Sequence, residues 1–275
     1  MFETFTLESY TDIFNQRGQL YHQAMLDYPD ARRAEFTHAL DLLDLQPGQV
    51  LCDVPSGGCY ISRFIDLPVK LISVETSEEF IRHAAPTEDN VTLICEDVTQ
   101  IPLTTATVDR IVSLAGLHHV AHQADFYREA YRLLKPQGIL AVADVRAGSG
   151  VDGFLNGFVN QYNSMGHRGE FLGPHTVDEL QTAGFEVVDA RPRQYTWTFQ
   201  SPAAMVRCCQ LLFGIDRADA DTTLAGIRRH LGYTMVGDRC CMNWELYFFK
   251  AIKPGAVAKS PAHCRHQSAP GLPWF

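Results

Sequence analysis

No block of lysine or arginine occurs anywhere in this 275-residue chain, and the formal net charge is -9. Such a chain offers no electrostatic footprint for nucleic acid or for an anionic membrane surface, so a small molecule is the better expectation for its ligand. Apolar runs are short, and none approaches the roughly 20 residues that a spanning helix requires. The opening stretch MFETFTLESYTDIF has neither the basic region nor the apolar core of a secretory leader, which predicts a cytoplasmic protein. Cysteine is sparse: eight residues, none in C-x2-C spacing, exclude both a disulfide scaffold and the usual zinc spacing, and no metal site is expected. Self-similarity at a period of roughly 20 to 50 residues is also missing, which excludes a solenoid.

What is present is enough apolar sequence for a full core, at 46% of residues. Residues 1–45 read as helices: Phe36, Ala39, Leu40 and Leu43 share one face, and Pro29-Asp30 is a start signal. They are expected to form an N-terminal helical cap. After Gln46-Pro47-Gly48 the pattern changes to VLCDV, LISVE, VTLICED, RIVSLAG and ILAVADV, each followed by helical sequence. That alternation predicts βαβ units: a Rossmann-like, doubly wound α/β fold with a mostly parallel, seven-stranded sheet.

Thr76 to Glu79 and Thr176 to Glu179 read as capping boxes. Ser201-Pro202 and Gly214 bracket a helix in a predicted insertion at 200–236, before the last strand, and residues 254–275 read as a loose tail. The domain proper is placed at 46–253.

Ligands of such sheets bind outside the carboxyl ends of the strands, near the first strand. VLCDVPSGGCYIS, residues 50–62, sits there, and Gly57 and Gly58 permit positive φ or close backbone approach. Asp53, Glu75 and Asp97 close three successive strand segments and so face one crevice. Acids at strand ends also simply meet solvent, but all three together are harder to dismiss.

These stretches, with VDRIVSLAGLHHV and FYREAYRLLKPQGILAVADV, resemble the class I S-adenosylmethionine (SAM) dependent methyltransferases, especially the group that includes ubiquinone and menaquinone biosynthesis methyltransferases. The likeness runs from Gln49 to Val145 and is most specific from Val108 onward. It implies SAM as cofactor. The methionine part would lie along Asp53, Pro55, Ser56, Gly57 and Gly58, the ribose at Glu75 beside Thr76, and the adenine at Asp97 beside Val98, with Leu114 also lining the site. Where that family commonly has D-x-G-x-G-x-G, this chain has Pro55 and Cys59 at the outer glycine positions, and proline removes one N–H from the cradle.

Methyl transfer needs positioning above all, with a base for a poorly ionised acceptor. His118 and His119 follow the fourth strand and read either as imidazoles that orient or deprotonate the acceptor, or as props for the loop. Residues 148–174 read as a lid, in which Tyr162, Asn163, His167, Arg168 and Glu170 lie close together; His167 is the expected base and Arg168 the expected anion binder. Arg17, Tyr21 and His22 read either as a cap on the acceptor pocket or as a solvated helix face.

Met205, Cys208, Cys209 and Leu212 share a helical stripe, while adjacent Cys240 and Cys241 point to opposite faces of a strand. Packing is the expected role of both pairs, and convergence on a soft metal is the alternative. The leading expectation is methyl transfer to a small-molecule acceptor. A SAM-binding sensor or partner subunit without catalysis is a second reading, and a nucleotide-dependent oxidoreductase a third, although no G-x-G-x-x-G follows the first strand. Oligomeric state stays open, a homodimer included.

Overall fold

Five parallel strands, β1 (Val50–Asp53), β2 (Lys70–Glu75), β3 (Asn90–Ile94), β4 (Val108–Leu114) and β5 (Leu134–Asp144), form from the apolar runs, and β1, β2, β4 and β5 bury side chains in the layers on both faces of the sheet. In a computed structural model, which describes residues 10–84, 90–95 and 97–255, they are joined by two long antiparallel strands, β6 (Glu186–Phe199) and β8 (Arg239–Ile252). The sheet order is β3-β2-β1-β4-β5-β8-β6. An eighth strand, β7 (Tyr233–Val236), pairs only with β8. It lies inside the predicted helical insertion and is an addition to the seven strands expected. Its four residues give no alternation to read: Met235 and Val236 are exposed, and pairing with β8 alone makes the strand. The first nine residues of the expected cap and residues 256–275 of the expected tail lie outside the described residues.

The sheet separates two apolar layers. One holds Leu51, Val112, Trp197, Met205 and Phe248; the other holds Cys52, Val74, Phe126, Leu140 and Phe249. Helix α4 (Gln123–Leu133) belongs to the second layer through Phe126, Ala130 and Leu133, all fully buried. On the first side lie α1 (Tyr10–Asp27), α2 (Arg33–Asp41), α8 (Pro202–Phe213) and α9 (Ala220–His230).

Helix α8 starts and stops as its sequence demands. Ser201 Oγ accepts from Ala204 N at 3.1 Å, Pro202 stands in the first turn, and Gly214 closes the helix at φ +60°. The two capping boxes need correction. Helix α3 (Glu78–His83) is capped by Ser77, one residue later than read, through Phe80 N at 3.4 Å. Thr176 lies inside α7 (His175–Thr182), where its hydroxyl accepts from Gly173 N instead.

The lid segment opens as helix rather than loop. Short α turns, α5 (Gly150–Asp152) and α6 (Asn160–Tyr162), flank a π-helical stretch, Gly153–Val159. Phe154, Leu155, Phe158 and Val159 bury one side of it, and Gly226 of α9 leaves room for the Phe158 ring, which a Cβ there would approach to 2.5 Å. The order of strands reverses between β1 and β4, so the crevice of the fold opens at the carboxyl ends of β1, β4 and β5, under α1 and the loop that follows α6.

Candidate functional site

At the carboxyl end of β1 the chain turns sharply. Gly57 takes φ +57° and Cys59, at one of the positions where glycine was missed, takes φ +59°, the left-handed region that disfavours a side chain. Pro55 leans on Gly116, where a Cβ would come within 2.6 Å of its ring. Cys59 is held by Ser73, whose hydroxyl lies 2.9 Å from its sulfur. The turn thus keeps its tight path without three glycines, by packing.

Glu75, fully buried at the end of β2, organises this turn. Its Oε1 accepts from Thr76 N at 2.8 Å and Ser77 N at 2.9 Å, and its Oε2 from Gly57 N at 2.7 Å. The Tyr10 hydroxyl of α1 donates to the same Oε2 at 3.0 Å. Burial nevertheless pushes the Glu75 carboxyl up to about 7, against the lowering by those hydrogen bonds. Asp53, 4% exposed, is raised by burial and then by the charge of Glu75. Among the described residues neither acid forms a salt bridge, although Arg32 lines the same part of the crevice as Asp53. Two desolvated carboxylates in one crevice make a site that favours a cation.

Tyr10, Asp53, Pro55, Ser56, Gly57 and Leu114 line one part of the crevice, and Pro55, Thr76, Asp97 and Val98 line the adjoining part. Asp97 is exposed and caps its own turn by accepting from Thr99 N at 2.7 Å. Gly58 lines neither part; a Cβ there would meet the Tyr60 ring at 2.5 Å.

A second cavity lies deeper, between α1, the π stretch, α8 and the extended β6–β8 pair. Its walls are aromatic, with Phe14, Tyr21, Trp197, Phe213 and Trp244, and His118, His119 and His167 lie together on its border. Trp197 and Trp244 stack at 4.3 Å, and Phe213 stacks on Trp244 at 5.8 Å. Arg17 and Trp244 line this cavity, and the buried Arg17 Nε and Trp244 Nε1 have no acceptor among the described residues. Burial lowers Arg17 to about 10.

The histidines are fixed from behind. His118 Nδ1 lies 2.7 Å from Asp144 Oδ1, and Asp144 also accepts from His118 N and Val145 N. His167 Nδ1 lies 3.1 Å from Asn156 Oδ1, an atom that also accepts from Gly169 N. Asn160, one turn along, accepts from His167 N at 2.9 Å. Burial, then the neighbouring His118, holds His119 and His167 well below the ordinary histidine range.

Tyr162 and Arg168 do not join them. Tyr162 packs on Phe158 at 4.7 Å, and Arg168 is exposed and outside the cavity lining, because the loop turns inward only at Asn163 and His167. The arginines at the cavity are Arg17, one of the three residues read either as a cap on the acceptor pocket or as a solvated helix face, and Arg32. Asp144 could have been found: it ends β5, as Glu75 ends β2, and the same rule selects it. Arg32 and Glu35 were also missed. They form a buried ion pair in which Glu35 accepts from Trp197 Nε1 at 2.9 Å and the Arg32 guanidinium lies 5.2 Å from the Trp197 ring.

The cysteine pairs lie in apolar packing. Cys209 and Cys240 contact Met242 and Met205 at 3.8 and 3.7 Å, and Cys241 points away to the other face, half-buried. No described helix is long and apolar enough to cross a membrane.

Residues 52–142 match a family model described as "Methyltransferase domain". A probable S-adenosylmethionine-dependent methyltransferase of Mycolicibacterium smegmatis is 29% identical over 50% of this chain and 53% of its own length. The 27-O-demethylrifamycin SV methyltransferase of Amycolatopsis mediterranei is 28% identical over 50% of this chain and 56% of its own. The chain therefore spans about half the length of these curated relatives. Among solved structures, phosphoethanolamine N-methyltransferase 2 of Haemonchus contortus in complex with S-adenosyl-L-methionine superposes with a TM-score of 0.60, at 15% identity, over 90% of this chain and 60% of that one. That likeness carries the fold, which is the Rossmann-like methyltransferase fold. Residues 52–142 are thus similar to a methyltransferase domain, and the relatives matched are named as methyltransferases, that of Mycolicibacterium smegmatis as S-adenosylmethionine-dependent.

Proposed function

We propose that this chain, with a methyltransferase domain at residues 52–142, moves a methyl group from SAM to a small, ring-bearing acceptor held under α1 and α8. The observation that carries the reading is the pair of buried carboxylates, Asp53 and Glu75, which form no salt bridge among the described residues and adjoin an aromatic cavity lined by imidazoles. SAM is a cation through its sulfonium and its amine, and it supplies a carbon already activated for in-line displacement. Glu75 would accept from the ribose hydroxyls and Asp53 from the amine end, with Thr76, Asp97 and Val98 along the adenosine. For this to happen Tyr10 must release Glu75 Oε2, so α1 is both the cover of the cofactor and one wall of the acceptor cavity.

The aromatic walls favour a flat acceptor, and the unpartnered N–H groups of Arg17 and Trp244 favour one that carries an oxygen. His118, oriented by Asp144, and His167, oriented by Asn156, are the groups that would receive the acceptor's proton. The narrower likeness to quinone-biosynthesis methyltransferases runs from Gln49 to Val145 and is most specific from Val108 onward. The oxidoreductase reading loses ground: the one G-x-G-x-x-G spacing, Gly148 to Gly153, follows β5, and Gly150 there is needed because a Cβ would meet the His230 carbonyl at 2.4 Å.

Calorimetry tests the proposal. SAM is expected to bind at low micromolar affinity, about -8 kcal/mol, and Glu75→Ala to weaken it at least about tenfold, since a charged hydrogen-bonding group is lost. Mass spectrometry of small molecules carried through purification separates the three readings. SAM or its demethylated product, together with turnover on aromatic hydroxy or carboxy acceptors, supports transfer. SAM without turnover on any acceptor favours the sensor, and a nicotinamide nucleotide refutes both.

A further inference from the structure

We infer that His118, His119 and His167 form a three-imidazole site for a divalent transition metal, open to the aromatic cavity, where an oxygen of the acceptor would complete the coordination. One ring nitrogen of each histidine lies within 4.8 Å of the other two, the one such group of three among the described residues.

The hydrogen bonds behind the rings decide which nitrogen is free. The Asn156 amide cannot be turned over: its Oδ1 accepts from Gly169 N at 2.8 Å while its Nδ2 donates to Gly169 O at 3.0 Å. His167 Nδ1 must therefore donate to Oδ1, which leaves Nε2 with its lone pair. Asp144, which accepts from two backbone N–H groups, imposes the same tautomer on His118. A carboxylate or amide oxygen behind an imidazole, with the far nitrogen presented outward, is how metal-binding histidines are oriented. The neutral form that a ligand needs is the form burial favours at His119 and His167.

The space is compatible. Three nitrogens about 2.0–2.1 Å from a tetrahedral zinc stand about 3.3–3.4 Å apart, so the present separations close by at most about 1.5 Å through ring rotation. Gly169 keeps that approach open, since a Cβ there would press on His118 Cδ2 at 2.9 Å. Three neutral nitrogens and one open position suit Zn(II) or Co(II) rather than Mg(II), which prefers oxygen.

The local charge then selects the acceptor. Arg17 lines the same cavity as the three histidines, so its charge opposes a dication there unless an anion is bound as well. Arg17 Nε and Trp244 Nε1 are the donors such an anion would meet. The acceptor class is therefore an ionisable oxygen compound, a phenol or enol that binds as its oxyanion. With a metal bound, His118 and His167 would act as ligands in place of bases: the metal would lower the pKa of the acceptor oxygen, the proton would leave to solvent, and the oxyanion would attack the methyl carbon as the carbon–sulfur bond breaks. This acceptor class rests on the methyltransferase reading; the metal site does not.

The test uses the purified chain, stripped with chelator and titrated with Co(II), then Zn(II). One Co(II) per chain is expected, with the intense visible absorption of a four- or five-coordinate ion, displaced by Zn(II) and shifted by acetohydroxamate, a bidentate oxygen donor. His167→Gln and His118→Gln are expected to lose the absorption, and Asp144→Asn to weaken binding by about 10–100-fold, all with SAM affinity kept. No stoichiometric metal in the wild type overturns the site, and so does absorption unchanged in both histidine variants. The wild-type titration decides alone if the variants misfold. Metal binding without SAM binding would instead sink the methyltransferase reading and leave the site standing.

Discussion

Glu75→Gln isolates the buried charge on which the cofactor site depends. The wild-type carboxyl moves from an ordinary 4.5 to about 7 on folding. Because the folded state holds this proton more tightly than the unfolded chain, stability falls as pH rises through the interval from 4.5 to about 7, and is level on either side of it. At about 1.4 kcal/mol per pH unit, the loss attributable to Glu75 is about 3 kcal/mol.

Glutamine has the same shape and no charge. Its oxygen can keep the bonds from Thr76 N and Ser77 N, while its NH2 would face Gly57 N and leave that donor unpaired. That costs about 1–3 kcal/mol, largely independent of pH. Urea unfolding across the acid-to-neutral range, with both forms in the same buffers, is the assay. The wild type's advantage should shrink by about 3 kcal/mol across the interval, or roughly 6–12 °C in midpoint temperature for a domain of this size. Taking the difference between the two forms removes the other groups, including Asp109, whose folded state favours the opposite slope through its hydrogen bonds to Val50 N and Lys135. Parallel curves would mean that Glu75 ionises as in water, and the case for an uncompensated carboxylate awaiting a cation would be lost.

Tyr10→Phe frees Glu75 Oε2 from α1, so SAM affinity is expected to rise about fivefold, the worth of one net hydrogen bond; unchanged or weaker binding by calorimetry would show that Tyr10 does not compete with the cofactor. Glu35→Gln leaves the Arg32 guanidinium buried beside Trp197 without its counter-charge, and urea unfolding should record a loss of about 3–5 kcal/mol with SAM affinity kept. A loss under about 1 kcal/mol would mean that Arg32 finds water or another partner.

The parallel sheet was legible because it rests on local pattern. VLCDV, LISVE and ILAVADV are apolar apart from Ser73 and the acids Asp53, Glu75 and Asp144, and a strand buried on both faces needs little else, so their positions along the chain follow from residue type. The acids at strand ends were readable for the same reason: an element's end is a local fact, and Asp53, Glu75 and Asp144 all sit at one. Helix α8 announced itself through Ser201, Pro202 and Gly214.

What tertiary structure decided are the contacts between residues distant in sequence, for which no periodicity exists. That Glu75 holds Tyr10, that Arg17 and not Arg168 reaches the cavity, and that His167 comes to His118 through Asn156 all depend on how α1 and the π stretch are laid across the sheet. The β7 strand pairs with β8 alone, and of its side chains only the half-buried Tyr233 packs toward the core. Residue type fixes which groups are available; the close approach of backbones, set by packing around glycines such as Gly116 and Gly169, fixes which of them meet.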